Sequence, residues 1–274
     1  MTITFNLVGA GHVGRVLGRL LAQHSGFAIG QVLTRSEASA RQAVTFIGAG
    51  QPILHYDQLQ TADVHLLAVG DDQIGPACAA LAAAVPLAGS IVFHCSGALA
   101  SSHLQAARDA GALVASVHPI RSFADPEAVA GHFAGTFCGV EGDAGALAVL
   151  VPALAAIGAR PVPIDASAKT VYHAAAVFAS NYLVTVLDAA LRAYQAAGVP
   201  EDVARQMAQP LAAESMANVF RLGAAAALSG PVARGDMATV ARQQQAVSRW
   251  DAATGALYRD LVAPTAALAQ RKPR

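Results

Sequence analysis

A doubly wound α/β domain followed by an all-helical domain is the fold class this sequence predicts, and three observations predict it. A glycine-rich turn at GxGxxG spacing directly follows the first apolar run. Up to about residue 165, short apolar runs alternate with stretches of helical periodicity, the pattern of a sheet wound with helices. From residue 166 onward no strand-like run appears, and long helical stretches take over. The 274 residues suffice for two domains, predicted at 1–165 and 166–274.

The first run, 3–8, leads into Gly9-Ala10-Gly11-His12-Val13-Gly14, and a helical segment follows with Val13, Val16, Leu17, Leu20 and Leu21 on one face. In that context the glycines have a mechanism. Gly9 permits the tight turn, Gly11 lets the backbone approach a pyrophosphate, and Gly14 lets helix and sheet pack closely. The helix N-terminus turns free N–H groups toward the negative charge. A second run, 28–33, ends in Thr34-Arg35-Ser36. NAD-preferring sites place an acid here to hold the ribose hydroxyls. A cation between two hydroxyls suits a 2′-phosphate, so the cofactor expected is NADP. Ser36 also reads as the N-cap of the next helix.

Further runs at 64–69, 90–94, 113–117, 136–140 and 160–164 complete a sheet expected to be parallel, with helices at 72–84, 99–110 and 145–157 between them. The helical half divides at Gly198-Val199-Pro200 and Gly230-Pro231 into helices of about 166–197, 200–226 and 236–269. Arg271–Arg274 reads as a tail.

Composition narrows the function classes. Lys plus Arg equals Asp plus Glu at 18 each, so no basic face is expected and nucleic acid is not an expected partner. Asn181 and Asp188 interrupt the most apolar helical stretch, so no membrane span is expected. The first strand leaves no room for a cleavable signal. Cys78, Cys95 and Cys138 are scattered and without metal-ligand spacing. They read as reduced core residues of a cytoplasmic protein, and no metal site is expected.

Open α/β sheets bind ligands beyond the carboxyl ends of their strands, so polar residues there carry most weight. Val69 and Gly70 follow the 64–69 run and are placed against the cofactor, with Asp72 as the cap of the next helix. His94-Cys95-Ser96-Gly97 and His118-Pro119 follow the next two runs, putting Ser96 and His118 near the nicotinamide end as substrate-orienting groups. In the helical half, Lys169 and His173 stand one turn apart on one face, with Asn181 about 18 Å along the axis from Lys169 by helical rise. A lysine beside an imidazole can protonate or polarise a carbonyl or imine as hydride arrives, which makes this pair the expected acid and base. The alternative is a solvated lysine and a histidine that merely packs helix on sheet. Arg234, in the turn Gly230-Pro231-Val232-Ala233-Arg234-Gly235-Asp236, is placed to receive an anionic group, and Asp236 to cap the last helix over Thr239.

These motifs in this order, with His94-Cys95-Ser96-Gly97-Ala98-Leu99 and Tyr172-His173-Ala174-Ala175-Ala176-Val177-Phe178-Ala179-Ser180-Asn181 as the longest, resemble a known bacterial group. Its members join a Rossmann-like domain to a domain of unknown function and are often labelled deazaflavin-dependent NADP oxidoreductase-like. The resemblance implies a 6-phosphogluconate-dehydrogenase-like helical domain and a homodimer, and implies no particular substrate. The Lys169 helix is also similar to the Lys-x-x-His-Asn helix of 6-phosphogluconate dehydrogenase, where the lysine is the acid/base. His173 stands where that pattern has Asn.

The expectation is hydride transfer between NADP(H) and a small carbonyl, imine or hydroxy compound held between the domains, with the helical domain serving substrate binding and dimerisation. Two alternatives stay open: an NADP-binding sensor without turnover, and an NADP:deazaflavin oxidoreductase.

Overall fold

Phe5 to Val8 are buried, as an inner parallel strand requires, and Asn6, the one polar residue among them, bonds Gln60 O and the Gln31 N–H. The computed structural model describes residues 2–24 and 26–271; of the expected tail, residues 272–274 lie outside the described residues. The chain divides into two compact units, Met1–Phe178 and Ala179–Arg274. The last strand ends at Pro163, so the first turns of the helical half belong with the sheet.

In the first unit the order is β1 (Ile3–Val8), α1 (His12–His24), β2 (Phe27–Leu33), α2 (Glu37–Ile47), β3 (Gln51–Ile53), β4 (Val64–Leu67), α3 (Asp71–Ala84) and β5 (Ile91–His94). It continues with α4 (Gln105–Asp109), β6 (Leu113–Pro119), α5 (Pro126–Gly131), β7 (Phe137–Gly142), α6 (Ala144–Ala156), β8 (Arg160–Pro163) and α7 (Lys169–Val177). One eight-stranded sheet runs β3-β2-β1-β4-β5-β6-β7-β8. The order reverses between β1 and β4, the switch point at which such sheets open a crevice.

Each face of the sheet carries its own core. Phe5, Leu7, Val16, Leu17 and Leu150 fill one face; Leu67, Ile74, Cys78, Leu81 and Val114 fill the other. Phe5 and Phe27 meet edge to face at 5.6 Å. Each such aliphatic side chain stabilises the fold by about 1.5–3 kcal/mol, which makes α1 a fixed platform for the turn before it.

Three features differ from the sequence expectation. The sheet is not wholly parallel: β7 runs antiparallel to β6, and β8 follows β7. β3 was not expected, being three residues with a central proline at the sheet edge, where a missing N–H costs no ladder bond. The 99–110 segment is a 3-10 turn, Ser101–Leu104, followed by the short α4.

The second unit continues from a π-helical turn, Phe178–Tyr182, into α8 (Leu183–Ala196), α9 (Glu201–Leu222), α10 (Ala224–Ala227), α11 (Pro231–Arg234), α12 (Met237–Trp250) and α13 (Ala252–Ala269). The expected 236–269 helix is two helices. Asp251 takes extended backbone and caps α13, its carboxylate accepting the Thr254 N–H at 2.8 Å. Gly223, at φ 83°, ends α9 short of residue 226. The continuous helical stretch Ala166–Ala196 is long and apolar enough, by length and composition alone, to cross a membrane, with a mean hydropathy of 1.5. Asn181 and Asp188 therefore do not interrupt it as sequence reading expected. Its first turn, however, is anchored inside the first unit.

Candidate functional site

The turn after β1 is built as a dinucleotide site requires. Gly9 has φ +84°, and a Cβ there would stand 2.6 Å from Ala68 O. Its N–H donates to Leu33 O at 2.8 Å, tying the turn to β2. A Cβ at Gly14 would stand 2.7 Å from the Ala68 Cβ, so its absence sets how closely α1 approaches β4. Gly11 is exposed, and a Cβ there would meet nothing within 4 Å. Nothing in the fold forbids a side chain at Gly11, but a side chain would fill the space over the helix N-terminus. The chain therefore keeps that space clear, which fits a phosphate resting on the backbone. Ala10 and Val13 face inward, while His12 is exposed and its Nδ1 lies 2.6 Å from Phe123 O. Beyond β2, Arg35 is exposed, Thr34 Oγ1 donates to Ser36 O, and Ser36 Oγ caps α2 through Ser39 N–H. Val69 and Gly70 follow β4, and Gly70 is the N-cap residue of α3.

Asp72 does not cap α3 as expected: its carboxylate accepts Gln73 Nε2. The preceding Asp71 is the structured acid, accepting the Ser96 hydroxyl at 2.9 Å. Ser96 Oγ also accepts from Ala98 N and Leu99 N. Its one proton is thus committed, and Ser96 shapes the turn after β5 instead of offering a free hydroxyl to substrate. His94 completes that turn. Its Nδ1 accepts Ser96 N–H at 3.1 Å, its Nε2 lies 3.2 Å from Ala100 O, and burial pushes its pKa down to about 4.

Lys169 does not lie on a solvated first turn. It is 1% exposed, hydrogen-bonded to Ser116 Oγ and 3.4 Å from Glu141 Oε1. Glu141 is fixed in turn by Ser101, which donates its N–H and hydroxyl at 2.7 Å each. Burial draws the Lys169 pKa down, while Glu141 opposes the shift. The ammonium is enclosed and paired, not solvated.

One turn farther along α7, Tyr172 and His173 both meet His118, edge to face, with centroids 5.5 Å and 5.3 Å away. Tyr172 Oη is 3.0 Å from His118 Nδ1. Two glycines make room. A Cβ at Gly139 would collide with Tyr172 Oη, and one at Gly97 with His173 Nδ1 and His118 Nε2. Burial, His173 and Lys169 hold His118 down at about 4, with Asp71 opposing. His118 is therefore uncharged at neutral pH.

Of the expected catalytic and substrate residues, Ser96, His118, Lys169 and His173 come together in the first unit. Asn181 and Arg234 belong to the second, where both are exposed. Asn181 lies in the π-helical turn, and Arg234 ends α11 before Gly235 in the left-handed conformation. Asp236 caps α12 through Thr239 N–H, as expected. Sequence reading missed Asp71, Ser116, Glu141 and Gly139 and assigned Tyr172 no role. The available signal was a serine within one apolar run and an acid ending another, where a polar side chain needs a partner. Among the described residues no group of His, Cys, Asp and Glu could hold a metal ion.

Residues 2–119 match the model of a Rossmann-like domain, and residues 136–265 match a domain of unknown function, DUF2520. No curated protein matches the sequence. Among solved structures, a Thermotoga maritima protein is 26% identical, with 98% of this chain and 100% of that chain covered and a TM-score of 0.73. A proposed NADP oxidoreductase from Bacteroides fragilis is 20% identical over 96% of this chain and 98% of that one, with a TM-score of 0.80. An imine reductase from Myxococcus stipitatus, solved with NADP+, is 15% identical over 97% and 93%, with a TM-score of 0.67. The chain thus carries, in order, a segment that matches a Rossmann-like domain and a segment that matches DUF2520.

Proposed function

We propose that this protein is an NADP-dependent oxidoreductase acting on a small carbonyl, imine or hydroxy compound. The observation that carries the reading is a single unit holding both a glycine turn shaped for a dinucleotide and, beyond the ends of β5 and β6, the paired imidazoles of His118 and His173 packed over Gly97. Solved relatives described with NADP or as NADP oxidoreductases support it.

Gly9, Ala10, Gly11, His12, Val13 and Gly14 would hold the pyrophosphate, with Val69 and Gly70 flanking it. Thr34, Arg35 and Ser36 would take the 2′-phosphate. When bound, NADPH supplies the hydride. His173 and His118 supply hydrogen bonds to the acceptor atom, and Lys169 acts from below as a fixed charge that discourages imidazole protonation.

Fluorescence titration with NADPH and NADH tests the cofactor, and equal or absent binding of both rejects it. A panel of ketones, cyclic imines and hydroxy acids, run with His173→Ala as control, tests the chemistry. Binding of NADPH with no turnover across the panel supports the sensor reading, which the enclosed Lys169 favours.

The second unit leaves Phe220 90%, Val184 65% and Leu211 60% exposed. Apolar surface on this scale calls for a cover, and a second copy of the chain is the proposed one. Light scattering that returns the monomer mass of 27.8 kDa at micromolar concentration rejects the dimer.

A further inference from the structure

His12 and Phe123, 111 residues apart, are joined by a hydrogen bond that the site described above does not use: His12 Nδ1 lies 2.6 Å from Phe123 O. A carbonyl only accepts, so Nδ1 carries the proton and donates. His12 opens α1 directly after Gly11, while Phe123 belongs to the segment between β6 and α5. Three strand spacings of about 4.8 Å separate β6 from β1 in the sheet order. The four residues from Ile120 to Phe123 reach at most about 14 Å beyond Pro119. The segment has no slack for a detour. It keeps to the carboxyl ends of β5 and β4, beside the crevice at the β1–β4 switch point.

The segment is pinned on both sides. Ile120 N–H donates to Phe137 O at 2.8 Å, and the Phe123 side chain packs on the same core as Val16 and Leu17 of α1. Asp125 caps α5, and Glu127 ties α5 to Arg19 of α1 at 2.8 Å. Between the pins, donors are left over. Ser122 and Ala124 are exposed, and neither the N–H groups of Ser122, Phe123 and Ala124 nor the Ser122 hydroxyl finds an acceptor among the described residues. Arg121, the one cation of the segment, is already engaged, its Nη1 donating to His132 O and Thr136 Oγ1. A plain connection would turn such donors to water and would need no tie to the glycine turn.

We propose that residues 122–124 are a second wall of the dinucleotide site, giving the Ser122 hydroxyl and the neighbouring N–H groups to the pyrophosphate that the glycine turn receives from α1. A pyrophosphate is anionic and offers only acceptors, so a row of neutral donors matches it. His12 is a positioning residue that holds this wall in place through Phe123 O. The proposal rests on reading Gly9 to Gly14 as the dinucleotide turn, and it names what binds the phosphate oxygens that the turn leaves free.

Hydrogen–deuterium exchange of the full chain with and without saturating NADPH, read on peptides covering 9–14 and 120–125, tests the wall. The amides of 122–124 should exchange fast in the free protein and slow at least about tenfold with NADPH. His12→Ala should remove that protection and weaken NADPH about tenfold at an unchanged unfolding midpoint, while His12→Asn, whose amide N–H can stand in for Nδ1–H, restores both. Ser122→Ala should weaken NADPH about tenfold and leave the affinity for adenosine 2′-phosphate, which has no pyrophosphate, unchanged. NADPH binding that protects 9–14 but not 120–125 overturns the wall alone, as does an NADPH affinity untouched by both His12→Ala and Ser122→Ala. Absence of NADPH binding overturns the dinucleotide reading itself.

Discussion

Replacing Lys169 with methionine tests what the enclosed ammonium is for. Lys169 is 1% and Glu141 6% exposed, with Nζ 3.4 Å from Oε1. At an effective dielectric of about 20 such a pair attracts by about 5 kcal/mol, most of it offsetting the desolvation of both ions. Removing one member leaves the other charge buried and alone, which costs about 3–5 kcal/mol. Glu141 would still accept two hydrogen bonds from Ser101, which argues for the lower end, about 3 kcal/mol. Glu141→Gln should cost a similar amount. The double variant should cost clearly less than the two together, with a coupling of about 2 kcal/mol. Urea unfolding at pH 7.5, with the slope unchanged, measures all three. A solvated lysine would move stability by only about 0.5 kcal/mol. A Lys169→Met loss below about 1 kcal/mol, or a coupling near zero, refutes the reasoning.

Arg35→Ala should weaken NADPH about 10- to 100-fold and leave NADH unchanged, because a charged hydrogen bond contributes about 1.5–3 kcal/mol; a fluorescence titration showing parallel losses for both cofactors counts against the 2′-phosphate role. Gly11→Ala should keep the wild-type unfolding midpoint, since its Cβ meets nothing within 4 Å, yet weaken NADPH at least about tenfold by occupying the space over the helix N-terminus. Acid should destabilise the fold through His65 and His94, both 0% exposed and both lowered by burial from 6.5 to about 4. Their native pKa values lie below the unfolded ones, so their stability contribution is full above about pH 6.5 and is lost as pH falls through about 4. Each accounts for about 3 kcal/mol over that window. Urea midpoints at pH 7, 5.5 and 4.5 measure the slope, which His65→Leu should flatten.

The parts of the fold that sequence showed are those with a local physical signature. The Gly9 turn follows a buried strand, and the amphipathic face of α1 repeats through Val16, Leu17, Leu20 and Leu21. Ser36 and Asp236 carry their caps three residues ahead. The reversal of β7 had no such signature, because an apolar run reads the same whichever way the strand points. Asp251 was legible only as an extended N-cap over Thr254, which helical periodicity on both sides concealed. Glu141 could be seen as an acid ending an apolar run, but its partner could not, since Lys169 lies 28 residues away in sequence.

That reversal makes the cluster. The antiparallel register sets Ser116 opposite Glu141 and His118 opposite Gly139. These two pairs are two residues apart along each strand, so they share one face of the sheet, about 7 Å apart. Lys169 and His173 are four residues apart on α7, a rise of about 6 Å. The two repeats nearly match. One turn of helix therefore places Lys169 over the Ser116–Glu141 pair and Tyr172 and His173 over the His118–Gly139 pair. The glycine at 139 admits Tyr172 only because the register puts it beside His118. Parallel pairing of β7 would run that strand's sequence the opposite way past β6, so two fixed pairings could not both persist along the face. The lysine is then best understood as the anchor of α7. By fixing the start of the helix against the sheet, it sets where the two aromatic residues of the next turn must stand.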